Sequence, residues 1–363
     1  MPRILRFVKK NNAFASSPGI IILYMSRIRP LVLAGGTVAA VTFAGAALTL
    51  CAAGAAILAL RARRSPRLTP VSTSVPVVLI TGGSRGLGLA IASRFAEHQS
   101  VRLVLASRHI DELQQAQAKL LKRHPHLAPE DFLLVAADLS TPATCDHLVT
   151  EAIARFDRID VLVNNAGIIE VGPIEAQSRE AFERAMQINF FAALYTTWAA
   201  LPHLRSQQPL AGGTRRASIV NIASVGGKLS VPHMLPYSAA KFALVGFSEG
   251  LHAELRGKGI RVTTVCPGLM RTGGEDHAQF VGNVAAEKRW FRLAAKTPGL
   301  STTVGHAADK IFRSVQSGRA EITITPQAWL AARFAGLAPE TLQFANALTN
   351  QYGLPKAPNH TTD

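Results

Sequence analysis

The sequence predicts an α/β protein: a doubly wound, seven-stranded parallel sheet preceded by one N-terminal apolar helix long enough to span a membrane. Three observations carry that reading. From residue 76 onward short apolar runs alternate with longer amphipathic stretches, a glycine-rich loop joins the first run to the first stretch, and residues 31–60 hold no charged side chain.

The chain of 363 residues is 48% apolar, enough to bury a core, which excludes a wholly disordered or fibrous chain. Cys51, Cys145 and Cys266 form neither a disulfide framework nor a metal spacing, so they read as reduced packing residues and no metal site is expected. The net charge of +16 would suit a nucleic-acid partner if it were spread along the chain. It is not. Residues 1–70 hold Arg3, Arg6, Lys9, Lys10, Arg27, Arg29, Arg61, Arg63, Arg64 and Arg67 and no acid, so taking these ten from +16 leaves +6 for residues 71–363. No basic-aromatic platform persists there, and no nucleic acid is expected as a partner.

Residues 1–30 are a basic segment, and residues 31–60 read as a transmembrane helix. A span needs roughly 20 apolar residues. This run exceeds that, has arginines beyond both ends, and offers Gly35, Gly36, Gly45 and Gly54 as a packing face. A cleavable signal carries an apolar region of only about 7 to 15 residues, and the Arg61-Ala62-Arg63-Arg64 cluster reads as stop-transfer. Should translation begin at Met25, only Arg27 and Arg29 precede the span, and the positive-inside rule places residue 61 onward in the cytoplasm. The expected location is a single-pass membrane protein whose globular part faces the cytoplasm. Residues 61–75 end in a polar, Pro-containing stretch and read as a linker.

Residues 76–325 form the globular domain. Segments 77–81, 101–107, 132–137, 161–164, 217–222, 260–265 and 321–325 read as buried strands, and 87–98, 110–124, 141–156, 179–201 and 237–256 as helices. Strict alternation demands a parallel sheet covered on both faces, with the ligand at the carboxyl ends of its strands. Residues 326–363 are a helical extension. Its Trp329, Leu330, Phe334, Leu337, Leu342, Phe344 and Leu348 are expected to pack on the sheet or on a second subunit, with membrane contact as the other option.

The loop Thr81-Gly82-Gly83-Ser84-Arg85-Gly86-Leu87-Gly88 runs from the first strand straight into a helix. Glycines at 82, 86 and 88 allow a tight turn and close backbone approach to a pyrophosphate, whose charge meets the free N–H groups of the helix N-terminus, a Rossmann-type arrangement. The residue that meets the adenosine ribose is expected about 20 positions further on. There the sequence reads Ala106-Ser107-Arg108-His109, and the first acid, Asp111, reads as a cap of the next helix. A carboxylate would serve a free 2′-hydroxyl, whereas Arg108 with Arg85 offers donors to a 2′-phosphate, so NADP(H) is favoured over NAD(H).

Ser224 follows the fifth strand, and thirteen residues on comes Tyr237-Ser238-Ala239-Ala240-Lys241. Tyr and Lys four apart share one helix face, so the ammonium can lower the phenol from its ordinary value near 10. Together with the glycine loop and Asn164-Asn165-Ala166-Gly167 after the fourth strand, this set resembles the short-chain dehydrogenase/reductase family over residues 75–325. The resemblance implies interconversion of a ketone and a secondary alcohol by hydride transfer. Tyr237 would be the general acid/base, Ser224 would polarise the substrate oxygen, Lys241 would hold the nicotinamide ribose, and Asn189 would support a proton relay. It implies cofactor contacts at Gly82, Ser84, Arg85, Gly86, Leu87, Gly88 and Arg108, at Asp138 and Leu139 on the adenine side, and at Asn165, Ala166 and Gly167. Pro267, Gly268 and Thr272 would cover the nicotinamide, beside Tyr237 and Lys241. By analogy alone, helix 237–256 would be a homodimer face.

Residues 225–236 and 269–300 should face the substrate. The first segment is mostly small and apolar, and the second mixes Phe280, Trp290, Phe291 and Leu293 with Lys288, Arg289, Arg292 and Lys296. On a membrane-tethered enzyme they fit a lipophilic ketone or alcohol, although a solvated lid helix accounts for the second segment equally. The competing function is a redox-inactive NADP-binding sensor or scaffold at a membrane. Loss of Ser224, Tyr237 or Lys241 would have supported it, and all three are present.

Overall fold

The computed structural model describes residues 75–98, 100–209, 215–271, 277–296 and 301–356. The expected membrane span, the linker up to residue 74 and Thr272 lie outside these. Among the described residues no helix is long and apolar enough to cross a membrane.

The first half alternates as the sequence predicts: β1 (Val77–Thr81), α1 (Gly86–His98), β2 (Arg102–Ser107), α2 (Ile110–Arg123), β3 (Phe132–Ala136), α3 (Pro142–Phe156) and β4 (Val161–Asn164). A short β5 (Glu170–Val171) leads to α4 (Arg179–Met186), a π-helical turn at Gln187–Phe191, α5 (Ala192–Ser206), β6 (Ala217–Ile222), α6 (Leu235–Leu255) and β7 (Ile260–Cys266). Then come β8 (Leu269–Arg271), β9 (Gln279–Phe280), α7 (Val284–Lys296), β10 (Ser301–Thr303), α8 (Val304–Ser317), β11 (Glu321–Thr323), α9 (Pro326–Leu337) and α10 (Pro339–Leu348).

Local chemistry sets the boundaries. Thr141 caps α3 by accepting from the Thr144 amide, with Pro142 at the first helical position, where a missing N–H costs nothing. The strand expected to reach residue 325 stops at Thr323, because Thr325 caps α9 instead, its Oγ1 accepting from the Ala328 amide at 3.3 Å. The helix expected over 179–201 is divided by the π turn that carries Asn189.

The seven main strands lie in the order β11-β7-β6-β4-β1-β2-β3, every pair parallel. The chain starts in the middle, runs outward to β3, then returns to the other side of β1. That reversal opens a crevice at the carboxyl ends of β1 and β4. Alternate residues of β1 serve different layers: Val78 and Ile80 join Ile91, Phe95 and Phe312 on one face, while Val77 and Leu79 join Leu148, Phe156 and Leu204 on the other.

Of the packings expected for the C-terminal helices, the sheet is not the one seen: Trp329, Leu330, Phe334, Leu337, Phe344 and Leu348 are 41% to 83% exposed, which leaves a second subunit or a membrane as the expected cover. The extension is held at the start of α9, where buried Ala328 lies against Gly268, in α10, where Asn346 Nδ2 donates to the Ser230 carbonyl (3.0 Å), and at buried Leu354.

A buried polar chain ties the sheet to the helices that carry the candidate site. Asn164 Nδ2 donates to Thr197 Oγ1 (3.0 Å) and Asn221 Oδ1 (2.8 Å), Asn221 Nδ2 donates to Ser248 Oγ (3.1 Å), and Thr264 Oγ1 donates to Ser248 Oγ (2.8 Å). These bonds join β4, β6 and β7 to α5 and α6. Asn221→Ala removes the central link and is expected to lower stability by about 1–3 kcal/mol. A urea midpoint equal to wild type would show that the chain contributes nothing.

Candidate active site

The crevice floor is built from two loops that hold each other. Thr81 Oγ1, at the end of β1, accepts from the amides of Asn165 (2.9 Å) and Ala166 (3.0 Å). Asn165 Nδ2 returns bonds to the carbonyls of Thr81 (3.0 Å) and Gly82 (3.1 Å). Gly82 and Gly86 have φ of 65° and 54°, in the left-handed region that favours glycine, and a Cβ on Gly88 would overlap the Gly82 carbonyl oxygen. The loop thus brings bare backbone and the N-terminus of α1 to the crevice, with Leu87 buried beneath it, a surface that suits a pyrophosphate.

The end of β2 departs from the sequence reading. Asp111 does not cap α2; His109 occupies the N-cap position without a side-chain bond, and Asp111 lies in the first turn. The acid that faces the glycine loop is Glu112, which accepts from Ser84 Oγ (2.9 Å) and the Arg85 guanidinium (2.8 Å). Burial opposes its ionisation, but the Ser84 bond and the Arg85 charge outweigh that and hold its carboxyl below the usual range. Arg85 is therefore engaged, while Arg108 is exposed and makes no side-chain bond to another described residue. On the adenine side, Asp138 is exposed and binds its own loop through the Ser140 amide (3.1 Å), and Leu139 is buried.

Ser224 follows β6 and opens the turn Val225–Gly227, its Oγ accepting from the Gly226 amide at 3.0 Å. Tyr237 lies in the first turn of α6, and its ring and Ser224 Oγ converge on Gly226, where a Cβ would lie 3.4 Å from each. Burial raises the Tyr237 phenol above its ordinary value, and the nearby Ser224 hydroxyl only partly offsets this. The expected lowering by Lys241 is not seen. Lys241 Nζ donates to the Ile222 carbonyl (2.8 Å) and lies 5.6 Å from the Tyr237 ring centroid, and burial brings the amine itself down to about 8. Half of its charge is absent in weak base, so it has less to lend the phenol.

Asn189 is buried in the π turn, with Nδ2 donating to the Ile168 carbonyl (3.0 Å) and Oδ1 accepting from the Ile168 amide (3.2 Å). Both side-chain atoms clamp the loop after β4, so the side chain positions that loop. Gly167 is where Asn189 and Lys241 converge: a Cβ there would lie 2.7 Å from Asn189 Oδ1 and 3.6 Å from Lys241 Nζ. The Pro267 carbonyl accepts from the Val225 amide (2.8 Å), joining the segment before β8 to the Ser224 turn. Gly268 follows against Thr325. Cys145 and Cys266 are buried free thiols. No group of three or more His, Cys, Asp and Glu among the described residues could hold a metal.

Comparison with known proteins agrees with this geometry. The short chain dehydrogenase family model matches residues 76–279. An Anopheles gambiae relative, "Dehydrogenase/reductase SDR family protein 7-like", is 31% identical over 70% of this chain and 77% of its own. An Arabidopsis thaliana relative, "11-beta-hydroxysteroid dehydrogenase-like 4A", is 32% identical over 73% of this chain and 82% of its own. A crystal structure of a short chain dehydrogenase/reductase from Burkholderia phymatum in complex with NAD superposes with a TM-score of 0.65 at 25% identity, covering 75% of this chain and 96% of the other.

The buried amine gives a pH test. An unfolded Lys241 titrates near 10.5 and the native one at about 8, so between those values the unfolded chain holds a proton that the native protein has released. Stability from this group therefore rises with pH through that window, by at most about 3 kcal/mol. Lys241→Met is expected to lose the rise in urea unfolding between pH 7.5 and 10.5 without cofactor. Parallel profiles for the two proteins would refute it.

Proposed function

The chain belongs to the short-chain dehydrogenase family, and from that premise we propose that it interconverts a ketone and a secondary alcohol with NADP(H). The observation that carries this is the convergence of Ser224 and Tyr237 on Gly226 beside buried Lys241, at the same edge of the sheet as the glycine loop. The dinucleotide supplies the hydride in reduction and accepts it in oxidation. Tyr237 gives its proton to the substrate oxygen, or takes one in the reverse direction, and burial keeps the phenol protonated and ready as an acid. Ser224 donates to the same oxygen and stabilises the charge that develops there. Lys241 would meet the nicotinamide ribose hydroxyls while still bonded to Ile222, and Asn189 holds the loop that borders the ring.

NADP(H) is the preferred form in this reading because Arg108 is exposed at the end of β2 while Glu112 is already bonded to Ser84 and Arg85. A carboxylate so engaged has less to give a ribose hydroxyl. The substrate is a lipophilic ketone or alcohol, a reading supported by the small apolar residues of 225–236, by the Phe280–Phe291 pair and by the hydroxysteroid in the Arabidopsis relative's name. Residues 31–60 would hold the enzyme to the membrane as a single span, with the catalytic domain in the cytoplasm.

Tyr237→Phe is expected to slow NADPH-dependent reduction of long-chain or steroid ketones by about 10²–10⁴-fold while leaving NADPH binding within threefold. A wild type that binds NADPH tightly yet reduces no carbonyl would favour the sensor instead. Arg108→Ala should raise KM for NADPH about tenfold, the scale of one charge-assisted contact, and leave NADH kinetics unchanged. Equal loss with both cofactors would sink the NADP(H) preference. For the anchor, the full chain should stay in the membrane pellet through alkaline carbonate, and deletion of residues 1–60 should release it. Full-length protein in the supernatant would refute the span.

A further inference from the structure

We propose that His233 and Glu287 form a latch that closes the substrate lid onto the loop carrying Tyr237. Glu287 is then a positioning residue for the reaction proposed above, on which the kinetic part of the inference rests. The pair spans 54 residues of chain: His233 Nδ1 and Glu287 Oε1 are 2.8 Å apart. Glu287 is 0% and His233 6% exposed. Glu287 belongs to the first turns of α7, and Phe291, one turn on, is buried with its ring 5.9 Å from that of Phe280 in an edge-on contact. His233 precedes Tyr237 by four residues and lies just before α6.

The surrounding backbone gathers three segments at this point. The His233 carbonyl accepts from the Gly172 amide (2.8 Å), β5 pairs with β9, and the Val281 amide donates to the Val171 carbonyl (3.0 Å). The loop after β4, the catalytic loop and the lid therefore share one junction, and among the described residues His233 and Glu287 are its one bonded pair of titratable side chains that are both buried. His233 holds φ at 64°, in the left-handed region that is uncommon for residues with a Cβ.

Stability alone is a poor reason for this arrangement. Burying an imidazole and a carboxyl group gives back in desolvation much of what their bond supplies, and apolar residues of similar volume commonly do as well or better. Here the carboxylate is also left incomplete, since Glu287 Oε2 has no hydrogen-bond partner in the described structure. What a directional bond supplies that apolar contact does not is one fixed geometry. It also lets the lid open, because both groups are well solvated once they separate.

The test uses the full chain and two independent readouts. In hydrogen exchange, Glu287→Ala should speed exchange of the 284–296 amides at least tenfold and leave 86–98 unchanged. Glu287→Gln, which can still bond the imidazole, should remain within threefold of wild type. With a ketone substrate, Glu287→Ala should raise KM at least tenfold with kcat within threefold and NADPH affinity unchanged. His233→Asn, which tolerates the left-handed backbone but shortens the side chain, should reproduce both effects, so a poorly folding Glu287→Ala does not remove the test. Unchanged lid exchange in both His233→Asn and Glu287→Ala, or a Gln variant as impaired as Ala, would overturn the latch. If wild type reduces no carbonyl at all, the reaction reading falls, and the exchange result still decides the latch.

Discussion

Thr81 and Asn165 lie 84 residues apart in the chain, yet the hydroxyl of one binds the amide of the other where the sheet reverses direction. Everything at the site hangs from that junction. With β1 and β4 side by side in register, the glycine turn and the Asn165 loop become opposite walls of one crevice, and each has its backbone groups satisfied by the other. An unpaired buried amide costs enough that neither loop could keep its shape alone. The polar chain from Asn164 through Asn221 to Ser248 extends the same logic inward and fixes α6, and with it Tyr237 and Lys241, against the strands.

Burial then governs the chemistry. The site sets a half-buried phenol beside a buried amine, and desolvation penalises the charged form of each: the phenol goes up, the amine down. The pair is therefore closer to neutral than a simple reading of Tyr beside Lys suggests. The Ser224 hydroxyl works the other way on the phenol, though by less than burial.

How legible this was in the sequence depended on distance along the chain. The seven strands, the glycine loop and the Ser224, Tyr237 and Lys241 set show in local patterns, because period-two burial, turn chemistry and an i, i+4 spacing are short-range constraints. The β2 end misled because the partner of Ser84 and Arg85 lies 28 and 27 residues away, and Glu112 looks like any acid in a first helical turn. The same holds for Asn189, whose place on a helix is legible but whose clamp on Ile168 depends on a π turn that no residue pattern announces. The tail was legible only in part: its spacing of apolar residues is that of a packed helix, but beyond Ala328 most of them are exposed, and periodicity does not say what lies opposite.

The two sides of the crevice are held in different ways, and that division has a functional sense. The cofactor side is stitched by backbone bonds and by glycines whose replacement would collide with neighbouring main chain, so it has one shape. The substrate side rests on two two-residue strands and a single buried imidazole–carboxylate bond, which together anchor a helix bearing aromatic side chains. A dinucleotide is the same molecule in every turnover, so rigidity costs nothing there. A bulky apolar substrate of the proposed kind would have to enter and leave past α7, and a contact that water can replace on opening suits that task better than a sealed apolar seam.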